Sequence, residues 1–336
     1  MDITILKLLA SMSVVIFAAL IFVNAIEYLA YRLGLGHSFM GAIVAPCFTS
    51  IPELTVFLVA VFGVGQVVGE KVGIGTIFGQ PFMASSLSYG LVGLAALLGF
   101  LTGRRRRSFL QVDRTLAIPY ICIIVLFPLT IVPDLLVRSD VVRFALGLMF
   151  IVAFLFYTRM MFHKNKGALV EESEDCYVSK YAKRIVRRPL VAALIQLGIA
   201  CAGLFVGSTA MVGSVISIAG SFNMDPLGLA LIVVPAASAM PETMSALIWG
   251  YRGRDTLSLG SLVGEKVLYS TVYPAMGLFF TSWVLDRHAY FSVLATTVVS
   301  FVLLIFILRR RMPWWSLCLG LFFFIAYGLL IFIFHF

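Results

Sequence analysis

Long apolar segments recur along almost the whole chain, and they limit what this sequence can fold into more than any other feature. Hydrophobic residues make up 61% of the 336 positions and charged residues 12%, which is more apolar surface than a soluble core of this size can bury. A helix needs about 20 apolar residues to cross the hydrocarbon region of a bilayer, and short charged segments separate runs of this length. The sequence therefore predicts an all-α membrane protein.

Ten of these runs are predicted to be transmembrane helices. They lie at residues 5–31, 39–62, 72–101, 116–132, 141–161, 190–219, 227–249, 257–283, 290–308 and 314–334. If the N-terminus is outside, the inner loops hold 19 of the 25 lysine and arginine residues. The positive-inside rule therefore predicts that both termini lie outside, and we expect the host to be the plasma membrane. The net charge of +9 thus indicates topology, and no nucleic-acid partner is expected.

A single long hydrophilic stretch divides the predicted helices into two groups of five. It runs from His163 to Arg188, with acidic residues between basic flanks. Because each half has an odd number of helices, the two halves insert in opposite orientations, as in many secondary transporters. The prediction is two inverted five-helix repeats, residues 1–162 and 189–336, joined by a cytoplasmic linker at residues 163–188.

An internal repeat supports this division. A shift of 189 residues superposes Pro46 on Pro235, Pro52 on Pro241, Glu53 on Glu242 and Gly75 on Gly264. The two copies read P-C-F-T-S-I-P-E and P-A-A-S-A-M-P-E, and each lies within a predicted span. Helices 2 and 7 are therefore predicted to carry the same chemistry in opposite orientations.

The prolines of this motif predict that helices 2 and 7 are broken within the membrane. Each proline lacks an N–H group and clashes with the carbonyl four residues earlier, so Pro46 should free the carbonyl of Ala42. Free carbonyls in a membrane are tolerated around a cavity or an ion, and a carboxylate there costs about 2.5–3.5 kcal/mol. A bound cation would offset both costs.

Glu53 and Glu242 form the centre of the predicted cation site. Thr49 precedes Glu53 by four residues and Ser238 precedes Glu242 by four, so each hydroxyl shares a helix face with a carboxylate. Oxygen ligands with two negative charges suit calcium, sodium, manganese or magnesium better than soft metals. We predict that these four residues hold the metal ion.

The motifs T-S-I-P-E-L at residues 49–54 and S-A-M-P-E-T at residues 238–243 resemble the cation/calcium antiporter superfamily, and the sodium/calcium exchangers are its nearest branch. The resemblance implies a secondary active antiporter that exchanges Ca²⁺, or a related divalent cation, for Na⁺ by alternating access. It adds Ser50 to the expected ion ligands. It also implies a transporter that is not an enzyme, has no cofactor besides its transported ions, and needs only lipid and inorganic cations as partners.

The third and eighth spans extend the resemblance and also depart from it. The family's G-S-N-I-F-N stretch is Gly75 to Gln80 here, which implies that Thr76 and Gln80 supply further oxygen ligands. The eighth span instead places Glu265 where a serine is usual. Ala239 likewise replaces a motif serine. These losses are expected to weaken a sodium site, while Glu265 offers a carboxylate that can carry a proton.

Several alternatives stay open from the sequence. The chain can be a proton-coupled divalent cation exchanger, a cation channel, or a homologue that binds cations without coupled exchange. An intramembrane hydrolase is disfavoured because the sequence has neither an H-E-x-x-H nor a G-x-S-x-G motif. Lys266 either forms a local ion pair, with Glu265 or Glu27, or replaces a missing coupling cation near the site.

Overall fold

The computed structural model describes residues 2–50, 54, 57–58, 61–62, 66–136, 140–164, 175–181, 188–221 and 239–334. These residues are mostly helical. In the first half the helices are α1 Asp2–Leu33, α2 His37–Phe39, α3 Ala45–Thr49, α4 Gln66–Met83, α5 Tyr89–Leu101, α6 Ala117–Leu129, α7 Val132–Leu136 and α8 Asp140–Lys164. They continue with α9 Tyr177–Tyr181, α10 Pro189–Ser221, α11 Met240–Arg252, α12 Asp255–Tyr269, α13 Val272–Phe280, α14 Arg287–Leu308, α15 Trp314–Leu317 and α16 Leu319–Phe334.

Two π-helical turns and one short sheet complete the architecture of the described residues. The π turn Met40–Val44 joins α2 to α3, and the π turn Ala84–Ser88 joins α4 to α5. A 3₁₀ turn, Arg114–Leu116, precedes α6. Strand β1 (Phe109–Leu110) pairs antiparallel with β2 (Met312–Pro313), which ties the loop after α5 to the segment before α15.

Within the described residues, six helical segments are long and apolar enough to cross a membrane. They are Ile3–Leu33, Gly73–Leu101, Arg114–Leu135, Asp140–Lys164, Pro189–Gly207 and Arg287–Leu308. Shorter apolar helices, His37–Phe48 and Trp314–Leu330, lie in two more of the predicted spans. The all-α membrane class is confirmed. The ten-helix inverted repeat stays a prediction, because most of residues 51–65 and all of 222–238 lie outside the described residues.

Helices α1 and α10 pack side by side through small residues. A Cβ added at Gly207 would approach a Val15 methyl to 2.8 Å, and one at Gly203 would approach the Ala18 Cβ to 2.9 Å. Buried amides add a polar contact, because Gln196 Nε2 donates to Asn24 Oδ1 at 2.8 Å. Close approach through small residues and interhelical amide bonds is typical of membrane helices, which cannot rely on the hydrophobic effect to associate.

The segment that carries the first motif crosses α12 at glycines. A Cβ at Gly264 would lie 2.2 Å from the carbonyl oxygen of Ala42, and a Cβ at Gly260 would lie 3.2 Å from the Cα of Gly41. Only a residue without a side chain allows the two backbones this distance. Gly264 therefore sets how close the first motif comes to Glu265.

Gly264→Ala is expected to destabilise this crossing by about 1–3 kcal/mol, since the added methyl group overlaps backbone that cannot move away. Thermal unfolding in detergent, followed by tryptophan fluorescence, measures the effect. Gly198→Ala on α10 is the matched control, because a Cβ there meets nothing within 4 Å. Equal midpoints for the two variants would show that the close crossing is not needed for stability.

The structure shows helix interruptions that the sequence analysis did not predict. In the eighth span α12 ends at Tyr269 and α13 begins at Val272, with Pro274 in the first turn of α13. In the third span the π turn Ala84–Ser88 follows Pro81. Prolines outside the repeated motif therefore also interrupt the helices near the site.

Candidate functional site

Glu242 lies at the start of a helix inside the protein. Helix α11 begins at Met240 with Pro241 in its first turn, and Ala239 caps it with a non-helical conformation. Proline is tolerated at this position because its missing N–H would have no helical partner. The side chain of Glu242 is 1% exposed, and the residue lies in the first turn of α11, at the positive end of the helix dipole. The P-E dipeptide thus places a buried carboxylate where a helix stabilises negative charge.

The hydroxyl of Thr243 connects this helix start to the third span. It donates to the carbonyl of Ala239 at 2.7 Å and lies 2.6 Å from the hydroxyl of Ser88. Since the Thr243 proton is already used, Ser88 is the donor in the second bond. The π turn that carries Ser88 is therefore held against the first turn of α11.

Glu265 supplies a second buried carboxylate, from α12. Its side chain is 1% exposed, and its Oε2 atom has no hydrogen-bond partner among the described residues. The charges of Glu265 and Glu242 act on each other, so the two carboxylates share one electrostatic environment. Gln80, on α4, is also buried. A buried carboxylate oxygen without a partner costs free energy, and a cation would remove that cost.

Ser50, at the end of α3, is buried and held by its neighbours. Its hydroxyl donates to the carbonyl of Pro46 at 2.5 Å, and its own carbonyl accepts from the Tyr273 hydroxyl at 2.9 Å. The ring of Tyr273 stacks on that of Tyr269 with a centroid distance of 4.2 Å. Because the Ser50 hydroxyl uses its proton locally, the lone pairs of its oxygen remain for a ligand. The tyrosine at position 269 thus supports the backbone of the first motif.

The carbonyl of Ala42 accepts a side-chain hydrogen bond that the sequence did not predict. Pro46 was expected to free this carbonyl for a cavity or an ion, but the hydroxyl of Tyr157, on α8, donates to it at 3.2 Å. That expectation is wrong at Ala42, because an aromatic side chain from another helix replaces the lost backbone hydrogen bond.

The predicted cation-binding residues differ in what the structure shows of them. Four of them are buried: Glu242, Glu265, Ser50 and Gln80. Thr76 is half-buried, and Thr49 is described by its backbone alone. The other two, Glu53 and Ser238, lie outside the described residues. The described members come from four helical segments: α3, α4, α11 and α12. Their roles as ligands stay predictions.

Lys266 is fully buried, and its contacts exclude the predicted local ion pair. Within the described part of the chain its ammonium makes no salt bridge with Glu265, and it donates to the hydroxyls of Ser85 at 3.2 Å and Ser300 at 3.1 Å. Glu27 accepts a hydrogen bond from the indole of Trp249 at 3.1 Å. Among the described residues Lys266 therefore makes no contact ion pair with either glutamate, although the charges of Glu265 and Lys266 act on each other.

The sequence analysis missed the hydroxyl groups that surround these charged residues. They are Ser85, Ser88, Tyr89, Tyr120, Thr243 and Ser300. One local signal was available, since Ala84–Ser88 reads A-S-S-L-S within an otherwise apolar span. Hydroxyls concentrated in a membrane span commonly join helices or line a polar site.

The chain is similar to known exchanger and antiporter proteins. The sequence profile described as sodium/calcium exchanger protein matches residues 3–163 and 192–336. The putative antiporter CaxA of Alkalimonas amylolytica is 26% identical over 216 residues, which cover 61% of this chain and 67% of CaxA.

Solved structures of the sodium-calcium exchanger NCX_Mj share the fold. The structure soaked with 2.5 mM Na⁺ and 10 mM Sr²⁺ has a TM-score of 0.73 at 19% identity, covering 97% of both chains. The structure soaked with zero Na⁺ and Ca²⁺ has a TM-score of 0.70 at 18% identity, covering 96% of this chain and 97% of that one. The apolar helices and these matches identify an integral multi-pass membrane protein. Because the family profile spans nearly its whole length, the chain belongs to the sodium/calcium exchanger protein family.

Proposed function

We propose that this protein is a secondary active antiporter that carries a divalent cation, with Ca²⁺ as the first candidate, in exchange for Na⁺ by alternating access. Membership of an exchanger family supports a transporter over an enzyme. The observation that carries the proposal is the buried Glu242 carboxylate at the start of α11, within electrostatic range of Glu265. An acid inside a membrane protein marks an ion pathway by default.

The ligand chemistry supports a hard cation. Glu53 would supply the second carboxylate from the repeated motif, and Thr49, Ser50 and Ser238 would add hydroxyl or carbonyl oxygens. Calcium accepts six to eight such oxygens in a flexible arrangement, so additional ligands such as Thr76 and Gln80 fit its needs. The proposed site lies between two inverted five-helix repeats, with the 163–188 linker in the cytoplasm and both termini outside the plasma membrane.

A proton is the second candidate for the counter-ion. The observation that favours it is Glu265, a buried carboxylate in α12 whose Oε2 has no hydrogen-bond partner among the described residues. A carboxylate at this position can exchange a cation for a proton, which a serine hydroxyl cannot do at neutral pH. The two candidates share the same divalent site and differ in what drives transport.

Reconstitution into liposomes separates these possibilities. Vesicles preloaded with Na⁺, or buffered to an acidic internal pH, would be diluted into medium with Ca²⁺ while an internal dye reports uptake and valinomycin with K⁺ fixes the membrane potential. Uptake driven by Na⁺ efflux is the expected result, and uptake driven only by the proton gradient would favour the second candidate. Flux that ignores both gradients would indicate a channel, and binding without flux would indicate a binding homologue; either outcome contradicts the proposal.

A further inference from the structure

The ammonium of Lys266 lies in a chamber without an opposite charge in direct contact. Four side chains form what we call the tyrosine chamber: Ser85, Tyr89, Tyr120 and Ser300. Besides its two bonds to the serine hydroxyls, the ammonium lies 4.5 Å from the centre of the Tyr89 ring and 5.3 Å from that of Tyr120. Lys266 itself is 0% exposed. Among the described residues, hydroxyl dipoles and aromatic faces thus make the direct contacts with the ammonium, and the charge of Glu265 acts on it without a contact ion pair.

The chamber is built by the π turn Ala84–Ser88, which carries Ser85, and by three helices, α5, α6 and α14. The hydroxyls of Tyr89, on α5, and Tyr120, on α6, lie 2.7 Å apart, and their rings stack at a centroid distance of 6.5 Å. Ser300 comes from α14. Hydroxyl oxygens and aromatic faces attract a compact cation of any kind, and this attraction is strongest where water is excluded.

We propose that the ammonium of Lys266 is a built-in cation that occupies a monovalent-cation subsite of this exchanger. The inference rests on the proposed function and adds the charge balance of its site. With all three ionised, Glu53, Glu242 and Glu265 would bring three negative charges to the proposed site, and Lys266 would reduce the net charge to two. One bound divalent cation, or two bound monovalent cations, would balance this net negative charge of two. The site is therefore neutral with either set of ions bound.

Neutrality matters most when the site is closed to water on both sides. A net charge in a dehydrated site inside a membrane is costly. The change between the outward-open and inward-open states should therefore be slow when the charge of the bound ions does not balance the charge of the site. Lys266→Met removes the built-in charge and leaves three carboxylates facing a divalent ion. Calcium binding should then strengthen while calcium movement slows, and a monovalent cation that enters the tyrosine chamber should restore the rate.

Two measurements on the full chain test this at one fixed pH. Equilibrium ⁴⁵Ca²⁺ binding in detergent and exchange of internal Ca²⁺ for external ⁴⁵Ca²⁺ in liposomes would both be run in choline chloride, with and without NaCl or KCl. For Lys266→Met we expect binding to tighten about tenfold and exchange in choline to slow about tenfold, with recovery on adding Na⁺ or K⁺. A merely structural loss would weaken binding and exchange together.

Matched variants complete the design. Lys7→Met makes the same change at an exposed lysine of α1 and should behave as wild type. Lys266→Arg keeps the positive charge, so binding and exchange without Na⁺ should stay close to wild type. Lys266→Gln removes the same charge as Lys266→Met but can still hydrogen-bond to Ser85 and Ser300, so it takes the place of Lys266→Met if that variant does not fold.

The results separate this inference from the proposed function. Absence of all calcium exchange in the wild type would overturn both. Wild-type exchange that strictly requires Na⁺ or K⁺ would overturn the role of Lys266 alone. So would a Lys266→Met variant with unchanged binding, exchange and Na⁺ response, or a Lys266→Arg variant that needs Na⁺ for exchange.

Discussion

Glutamine in place of Glu242 should abolish calcium exchange while the protein still inserts and folds. The amide keeps the size of the side chain and removes its charge, and the carboxylate is only 1% exposed at a helix start. Loss of one full charge contact with a divalent ion in such a site should lower the exchange rate by about 100-fold or more. Dye-based uptake in liposomes measures the rate, and size-exclusion chromatography in detergent reports folding.

Asp140→Asn is the matched control for this substitution. Asp140 begins α8, its side chain is 89% exposed, and its ion pair with Arg143 lies at the surface. The same acid-to-amide change should leave exchange near the wild-type rate, because an exposed pair contributes little. Substantial calcium exchange by folded Glu242→Gln would remove this residue from the cation site and contradict the proposed mechanism.

The sequence repeat extends the same expectation to Glu53. If the two motifs provide equivalent carboxylates, Glu53→Gln should lower exchange as severely as Glu242→Gln in the same uptake measurement. A mild effect at Glu53 would mean that Glu265, and not the repeated motif, supplies the second carboxylate of the site.

Much of this architecture was predictable because its signals are local. Runs of apolar residues report membrane helices directly, and a proline next to a glutamate places that acid in the first turn of a helix, as observed at Glu242. The family was predictable for the same reason, since the repeated motifs are short contiguous segments.

The partners of the buried groups were not predictable, because they come from distant parts of the chain. Lys266 bonds to Ser85, which is 181 residues away, and the Ala42 carbonyl to Tyr157, which is 115 residues away. No spacing rule connects such residues, since helix packing alone brings them together. The adjacency of Glu265 and Lys266 suggested an ion pair, but successive residues point to different sides of a helix.

An ion pair at the other end of α12 leads to the largest expected effect on stability. Arg105 Nη1 lies 2.9 Å from Asp255 Oδ1, and Nη2 donates to Oδ2 at 3.0 Å. The side chains are 3% and 6% exposed. Arg105 also donates to the carbonyl of Gly250, and the backbone N–H of Gln111 donates to Asp255 at 2.8 Å. The run of arginines that sets the predicted topology thus contains one that fastens the loop after α5 to the start of α12.

Arg105→Met should lower the free energy of unfolding by about 3–5 kcal/mol, because it leaves the Asp255 carboxylate buried without its partner. Arg106→Met removes an exposed neighbour and should change it by less than about 0.5 kcal/mol. The double variant Arg105→Met with Asp255→Leu should recover much of the loss, since no unpaired charge remains. Denaturant titrations in detergent compare the three. If Arg105→Met and Arg106→Met unfold at the same midpoint, the ion pair does not hold this end of α12, and the glycine crossing at Gly264 would have to position Glu265 and Lys266 by itself.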